Sequence, residues 1–220
     1  MVGHCRVISD ERALSYDIGA TKSSGEGRAR CVRLMRVIGG VARGRRLWAP
    51  RGRQTRPTSD YLREVLFDLL AQEVSGRTFL DLYAGTGAVG IEALSRGASR
   101  SIFVESAGSA LAMLRRNLEV SGFLDRGEVV PMGVLPFLRW AANESRQFDL
   151  IFLDPPYERR ADAAAALILI ASTGLLAPGG VAILERSVKA NPIPTADGLE
   201  RVREVRHGDS ILQLYRREAV

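Results

Sequence analysis

The chain has 220 residues, 46% of them hydrophobic and 25% charged, which fits one sizeable soluble domain with an appendage and excludes disordered, fibrous and collagen-like proteins. No apolar run approaches the ~20 residues of a membrane helix. Asp10 and Glu11 stand where a signal peptide would be apolar, and Cys5 and Cys31 are the only cysteines, so the reading is a cytoplasmic protein with no disulfide framework and no metal site. The net charge of +6 is uneven, because residues 35–57 hold seven arginines and no acid while the chain beyond them is net acidic.

Residues 1–34 lack sustained periodicity and read as a disordered tail, or as sequence ahead of a true start at Met35. From Met35 the pattern MRVIGGVARGRRLWAP alternates around Gly39, Gly40 and Gly44, which predicts a short basic β-hairpin. A block of arginines without counter-charge repels itself and is most useful against a polyanion, although a chain that prefers Arg to Lys throughout could also carry it as plain solvated surface. Residues 51–57 read as a loop. In TSDYLREVLFDLLAQ, Thr58 or Ser59 caps a helix whose apolar face is Leu62, Val65, Leu66, Leu69 and Leu70.

From residue 77 strands and helices alternate. TFLDLYA, SIFVE, EVVPM, FDLIFLD and GGVAILERS predict strands, with helices over AVGIEALSRG, SALAMLRRNLEVSG, VLPFLRWAANE and ADAAAALILIAS between them. LERVREVRH and SILQLYRR add two strands joined at Gly208–Asp209. The pattern is α/β, a doubly wound, mostly parallel sheet of seven strands with an antiparallel edge. Ligands of such sheets bind beyond the carboxyl ends of the strands.

Two strand ends carry chemistry. In LDLYAGTGAVGIEAL, Gly85, Gly87 and Gly90 lie between strand and helix, where a missing Cβ and free N–H groups admit a nucleotide-like ligand. Glu105 closes the next strand and suits a ribose. Asp81 would repel phosphate but attract an ammonium, so a ribose-bearing cationic amine such as S-adenosylmethionine fits. Each acid also has a plain alternative, a solvated strand end for Glu105 and a cap of the turn for Asp81. In DPPY, Asp154, Pro155, Pro156 and Tyr157 follow the strand FDLIFL. The prolines stiffen the backbone and expose carbonyl acceptors, and Tyr157 offers a flat face to a base. Asp154 and the Pro155 carbonyl would hold the two hydrogens of an exocyclic amino group and orient its nitrogen for methyl transfer. Trp48 reads equally as a packing residue and as a stacking one, and Ser95 as an ordinary helix residue.

The glycine loop, DPPY, the start MRVIGGVARGRRL and TRPTSDYLREVLFDLL together resemble the RsmD family, bacterial methyltransferases that modify one guanine of small-subunit ribosomal RNA at its exocyclic amine. The resemblance runs from Met35 to about Arg217. It implies a Rossmann-like S-adenosylmethionine-dependent fold, cofactor binding by Asp81, Tyr83, Ala84, Gly85, Thr86, Gly87 and Glu105, and catalysis by Asp154, Pro155, Pro156 and Tyr157. Residues 35–75 would be an RNA-binding extension, with Arg36, Arg43, Arg45, Arg46, Arg51, Arg53 and Arg56 on phosphates, and residues 76–220 the methyltransferase domain. The expected partner is 16S ribosomal RNA in an assembling subunit, bound by a monomer. Gly133 stands where relatives often carry Asp or Asn, and Tyr61 replaces a basic or small residue. The rival readings are a DNA adenine amino-methyltransferase and a non-catalytic RNA-binding assembly factor.

Overall fold

A computed structural model describes residues 33–49, 60–156, 160–190, 193 and 196–217. The expected loop 51–57, the capping positions Thr58 and Ser59, and all but the last two residues of the expected tail 1–34 lie outside them.

Strand β1 (Arg33–Arg36) pairs antiparallel with β2 (Arg46–Ala49), so the basic hairpin forms and takes in two residues ahead of Met35. Gly40 and Gly44 sit at φ 73° and 83° in the connection, a region that favours glycine. Helix α1 (Asp60–Leu70) follows. Leu62, Leu66 and Leu70 of its expected apolar face are buried, while Val65 and Leu69 pack at the margin of the core. The buried stripe is rotated to include Phe67 and, unexpectedly, Arg63. That guanidinium is tolerated inside because Nη2 donates to Asp60 Oδ1 at 2.9 Å and to the Arg36 carbonyl at 2.8 Å, tying α1 to the hairpin.

The remaining elements are β3 (Thr78–Leu82), α2 (Ala88–Ser95), β4 (Arg100–Glu105), α3 (Gly108–Ser121), β5 (Gly127–Pro131), α4 (Val134–Asn143), β6 (Phe148–Leu153), α5 (Arg160–Ser172), β7 (Leu176–Ser187), β8 (Leu199–His207) and β9 (Ser210–Arg217). They build a seven-stranded sheet in the order β5-β4-β3-β6-β7-β9-β8. Strands β3 to β7 are parallel, and β9 runs antiparallel to both β7 and β8. Strand β9 takes the inner place because Ile211, Leu212, Leu214 and Tyr215 are buried, whereas charged, largely exposed β8 suits an edge that must not recruit further strands.

Alternation divides the core between the two faces of the sheet. Leu80, Leu82, Ile151 and Leu153 pack toward α4 and α5, and Phe79, Phe103, Leu150 and Phe152 toward α1, α2 and α3. Met35, Val37, Ala42, Leu47 and Ala49 of the hairpin segment belong to the second cluster. Among the described residues no helix is long and apolar enough to cross a membrane, and no cluster of potential metal ligands occurs.

Candidate active site

Strand order reverses between β3 and β6: the chain runs outward through β4 and β5 on one side and through β7 on the other. At such a switch point the two flanking connections diverge and leave a crevice beyond the carboxyl ends. Leu82 is paired with Leu153 across it. Tyr83, which opens the glycine loop, and Asp154, which opens the proline turn, therefore follow directly on neighbouring residues of one register. The structure thus brings Asp81, Tyr83, Ala84, Gly85, Thr86, Gly87, Glu105, Asp154, Pro155 and Pro156 to one edge of the sheet, while Tyr157 lies outside the described residues.

The three glycines of the loop do different things. At Gly85, φ is 55° and an added Cβ would meet only the Tyr83 carbonyl at 4.0 Å, so the backbone there faces open space. At Gly87, φ is 82° and a Cβ would come within 2.2 Å of Leu114 Cδ1. At Gly90 it would come within 2.3 Å of Phe103 Cε1, so this glycine permits α2 to lie close on β4. Tyr83 is held at φ 64° without being glycine, a strained conformation of the kind that collects at ligand sites. Glu105 Oε2 accepts the Gly85 N–H at 2.8 Å, and Oε1 accepts the N–H groups of Ser106 and Ala107 at 2.7 and 2.8 Å. The carboxylate thus joins the glycine loop to the start of α3 and remains partly exposed.

Asp81 is buried, and its Oδ2 accepts the Gly90 N–H at 2.9 Å. Burial pushes its carboxyl up to about 7; Gly90 opposes this and the Glu105 charge adds to it. Since the folded form holds the proton more tightly than the unfolded chain, the stabilisation is complete below about pH 4 and is lost as pH rises through about 7. The Asp81→Asn variant, which keeps an acceptor for Gly90, should therefore gain on the wild type between pH 5 and 8, by an amount on the order of 2 kcal/mol. Urea unfolding at both pH values checks the sign.

Asp154 is half-buried at the crevice, and its carboxyl is raised well above the ordinary carboxylate range, first by lost solvation, then by the charges of Glu185 and Asp81. Glu185 comes from the carboxyl end of β7, one residue beyond the Leu153 and Leu184 pair, and accepts a hydrogen bond from Ser210 Oγ at 3.0 Å. The sequence reading missed it, although VAILE ends in an acid just as SIFVE and FDLIFLD do. Mutually repelling carboxyls at a crevice fit a cationic ligand, which would relieve each of them.

Of the arginines expected on phosphates, Arg36, Arg43, Arg45 and Arg46 are exposed along the hairpin, and Arg51, Arg53 and Arg56 lie outside the described residues. Arg36 also pairs with Asp60 at 3.4 Å, and Arg45 donates to the Val120 carbonyl at 3.0 Å. Trp48 is partly buried with the Arg116 guanidinium 4.0 Å from its ring centroid, so its outer face is already stacked. The hairpin is fastened by side chains the sequence reading did not single out for this task. Glu92 accepts the N–H groups of Ile38 and Gly39 at 2.8 and 2.7 Å and an Arg96 bond at 2.8 Å. Ser95 Oγ accepts from Ala42 at 2.9 Å and donates to the Gly39 carbonyl at 2.6 Å. The signal for Glu92 was a charge inside the otherwise apolar AVGIEALS. Gly133, at the start of α4, has an ordinary extended backbone with only the Pro136 ring near its missing Cβ, at 3.6 Å, so nothing in the local packing demands glycine.

Known proteins resemble the chain over most of its length. The chain is 34% identical over 186 residues to the ribosomal RNA small subunit methyltransferase D of Escherichia coli, covering 84% of this chain and 91% of that protein. It is 32% identical over 182 residues to the protein of the same name from Haemophilus influenzae, covering 82% and 93%. A solved Escherichia coli structure superposes with a TM-score of 0.74 at 30% identity, covering 86% of this chain and 100% of that one. An O-methyltransferase from Bacillus cereus solved in complex with SAH shares the fold, with a TM-score of 0.58 at 20% identity over 73% and 83% of the two chains. Because a family model described as Conserved hypothetical protein 95 also matches residues 35–216, the chain belongs to the RsmD family.

Proposed function

We propose that this chain is an S-adenosylmethionine-dependent methyltransferase that modifies the exocyclic amino group of a guanine in small-subunit ribosomal RNA. The observation that carries the reading is the Leu82–Leu153 register, which sets the glycine loop and the Asp154 turn side by side at the switch point. Residues 76–220 form the catalytic domain and residues 35–75 the RNA-binding extension of a cytoplasmic monomer acting on an assembling subunit.

The bound cofactor supplies a methyl group on a positively charged sulfur. The open face of Gly85 would let the loop backbone approach it, and Glu105 at the end of β4 would take the ribose hydroxyls in exchange for backbone N–H bonds it makes here. Asp81, once its raised proton is released, sets a negative potential beneath the loop, on the side suited to an ammonium. On the acceptor side, the Asp154 carboxylate and the Pro155 carbonyl each accept one hydrogen of the target amine, which fixes the direction of the nitrogen lone pair. The rigid Pro155–Pro156 backbone keeps those acceptors in place, Tyr157 stacks on the base, and Asp154 is positioned to take the proton the amine sheds. The guanine leaves its stack to reach them, since an amine within paired RNA is inaccessible.

Purified protein with methyl-labelled S-adenosylmethionine should label small-subunit RNA, naked or in particles from a strain lacking the gene, and digestion should return the label in N2-methylguanine. Label in duplex DNA alone would replace this reading with an adenine methyltransferase. No cofactor binding by calorimetry would leave an RNA-binding assembly factor.

A further inference from the structure

Asn117 occupies the buried stripe of α3 and is fully inaccessible, an amide where the neighbouring stripe positions are Leu114, Leu118 and Ser121. Its Oδ1 accepts the Trp48 N–H at 2.7 Å, and Nδ2 donates to the Trp48 carbonyl at 2.9 Å. The side chain therefore pairs with β2 much as another strand would. The same Nδ2 donates to the Thr86 carbonyl at 2.8 Å. One amide group thus uses its whole polar edge to connect the basic hairpin to the glycine loop.

Both partners matter to ligands. Thr86 lies between Gly85, whose backbone faces the open crevice, and Gly87, whose φ of 82° turns the chain into α2. Trp48 lies in the arginine segment and carries Arg116 on its ring. The Nδ2 group gives one hydrogen to each of two carbonyls, and one planar amide fixes both directions, so a shift of β2 that tilts the amide changes the geometry offered to Thr86, and a buried polar group left unsatisfied is costly. The strain at Tyr83, three residues before Thr86, marks a loop whose conformation needs such external support.

We infer that Asn117 is a positioning residue through which the hairpin and the cofactor loop brace each other, so that cofactor and RNA bind with positive cooperativity. This rests on the functional reading above. The bracket is closed here without either ligand, so whichever ligand binds first makes its opening rarer, and the second then meets a bracket already held. Linkage requires the effect to be equal in both directions.

The test uses the full chain, S-adenosylhomocysteine as a cofactor analogue that cannot react, and small-subunit ribosomal RNA in particles from a strain lacking the gene. Calorimetry of the analogue with and without RNA should show at least fivefold tighter binding in the wild type when RNA is present, within the ordinary range of such couplings. In Asn117→Ala the ratio should fall below twofold. A ratio near one in the wild type, or an undiminished ratio in the variant, overturns the inference. Amide exchange in the wild type gives a measurement that needs no variant: the analogue alone should slow exchange of the Trp48 N–H at least threefold, and an unchanged rate is equally fatal. Failure of the functional reading looks different, since then the analogue or the RNA does not bind at all; binding of both without cooperativity removes this inference alone.

Discussion

Asp154→Ala is expected to lower the rate of methyl transfer by about 10³-fold, the usual cost of removing a group aimed at the reacting centre, while affinity for S-adenosylhomocysteine changes by less than about fivefold. The separation follows from position: Asp154 opens the proline turn after β6, whereas the glycine loop proposed to hold the cofactor leaves β3 and is secured by Glu105 and Asn117. Single-turnover kinetics with calorimetry on the same preparation decides it, and transfer at the wild-type rate would remove Asp154 from catalysis. The same carboxyl should shape the pH dependence. In the proposed mechanism only its ionised form would accept both from the amine and, later, the released proton, and its proton is held well above the ordinary carboxylate range. The rate should therefore rise with pH on the acid side. Glu185→Gln removes one of the charges that hold that proton on, so the acid limb should move to lower pH. A shift the other way would mean that Glu185 acts on Asp154 by something other than its charge.

Gly40→Ala should destabilise the fold by about 3 kcal/mol and weaken RNA binding more than tenfold. The missing Cβ at Gly40 would lie 1.9 Å from the Ser95 carbonyl oxygen and 2.2 Å from its carbon, both backbone atoms, and φ is 73°. No side-chain adjustment relieves this, so the segment has to lift off α2. The bonds then at risk are Val41 N–H to the Ser95 carbonyl at 2.8 Å, Ala42 N–H to Ser95 Oγ at 2.9 Å, and Ser95 Oγ to the Gly39 carbonyl at 2.6 Å. At about 1 kcal/mol each, before any left-handed backbone cost, they account for the magnitude. Urea unfolding measures the first effect and filter binding the second. A variant within 0.5 kcal/mol of the wild type would show that docking of this turn contributes nothing.

The strands were readable because burial on both faces writes them as unbroken apolar runs closed by one acid or turn: FDLIFL and SIFVE match β6 and β4 to within a residue. Strand β7 begins at Leu176, three residues before the expected GGVAILERS, since Leu176 pairs with Phe148 across an irregular register no local pattern announces. The crevice was legible for a related reason, because ligands sit where strands end and the motifs lie at two such ends. What local pattern could not show is the docking of the hairpin. Arg63, Glu92, Ser95 and Asn117 look in sequence like misplaced polar residues on apolar faces, and their purpose exists only once another segment presents backbone groups to them. An isolated amide in the stripe Leu111, Leu114, Leu118 was the faint sign of that.

The hairpin turn docks on the end of α2, with Val41 and Ala42 at Ser95, while β2 packs on α3, where Asn117 joins Trp48 to Thr86 at the glycine loop. Arg43 and Arg45 therefore sit near the rim opposite the catalytic one, roughly 12 Å away if measured by the eight residues of α2. A polynucleotide that touches Arg43 and also delivers a base to Asp154 must climb the full height of the domain. On the proposed reading the footprint is longer than one nucleotide, and a short oligomer carrying only the target guanine should leave the far arginines idle, whatever its sequence.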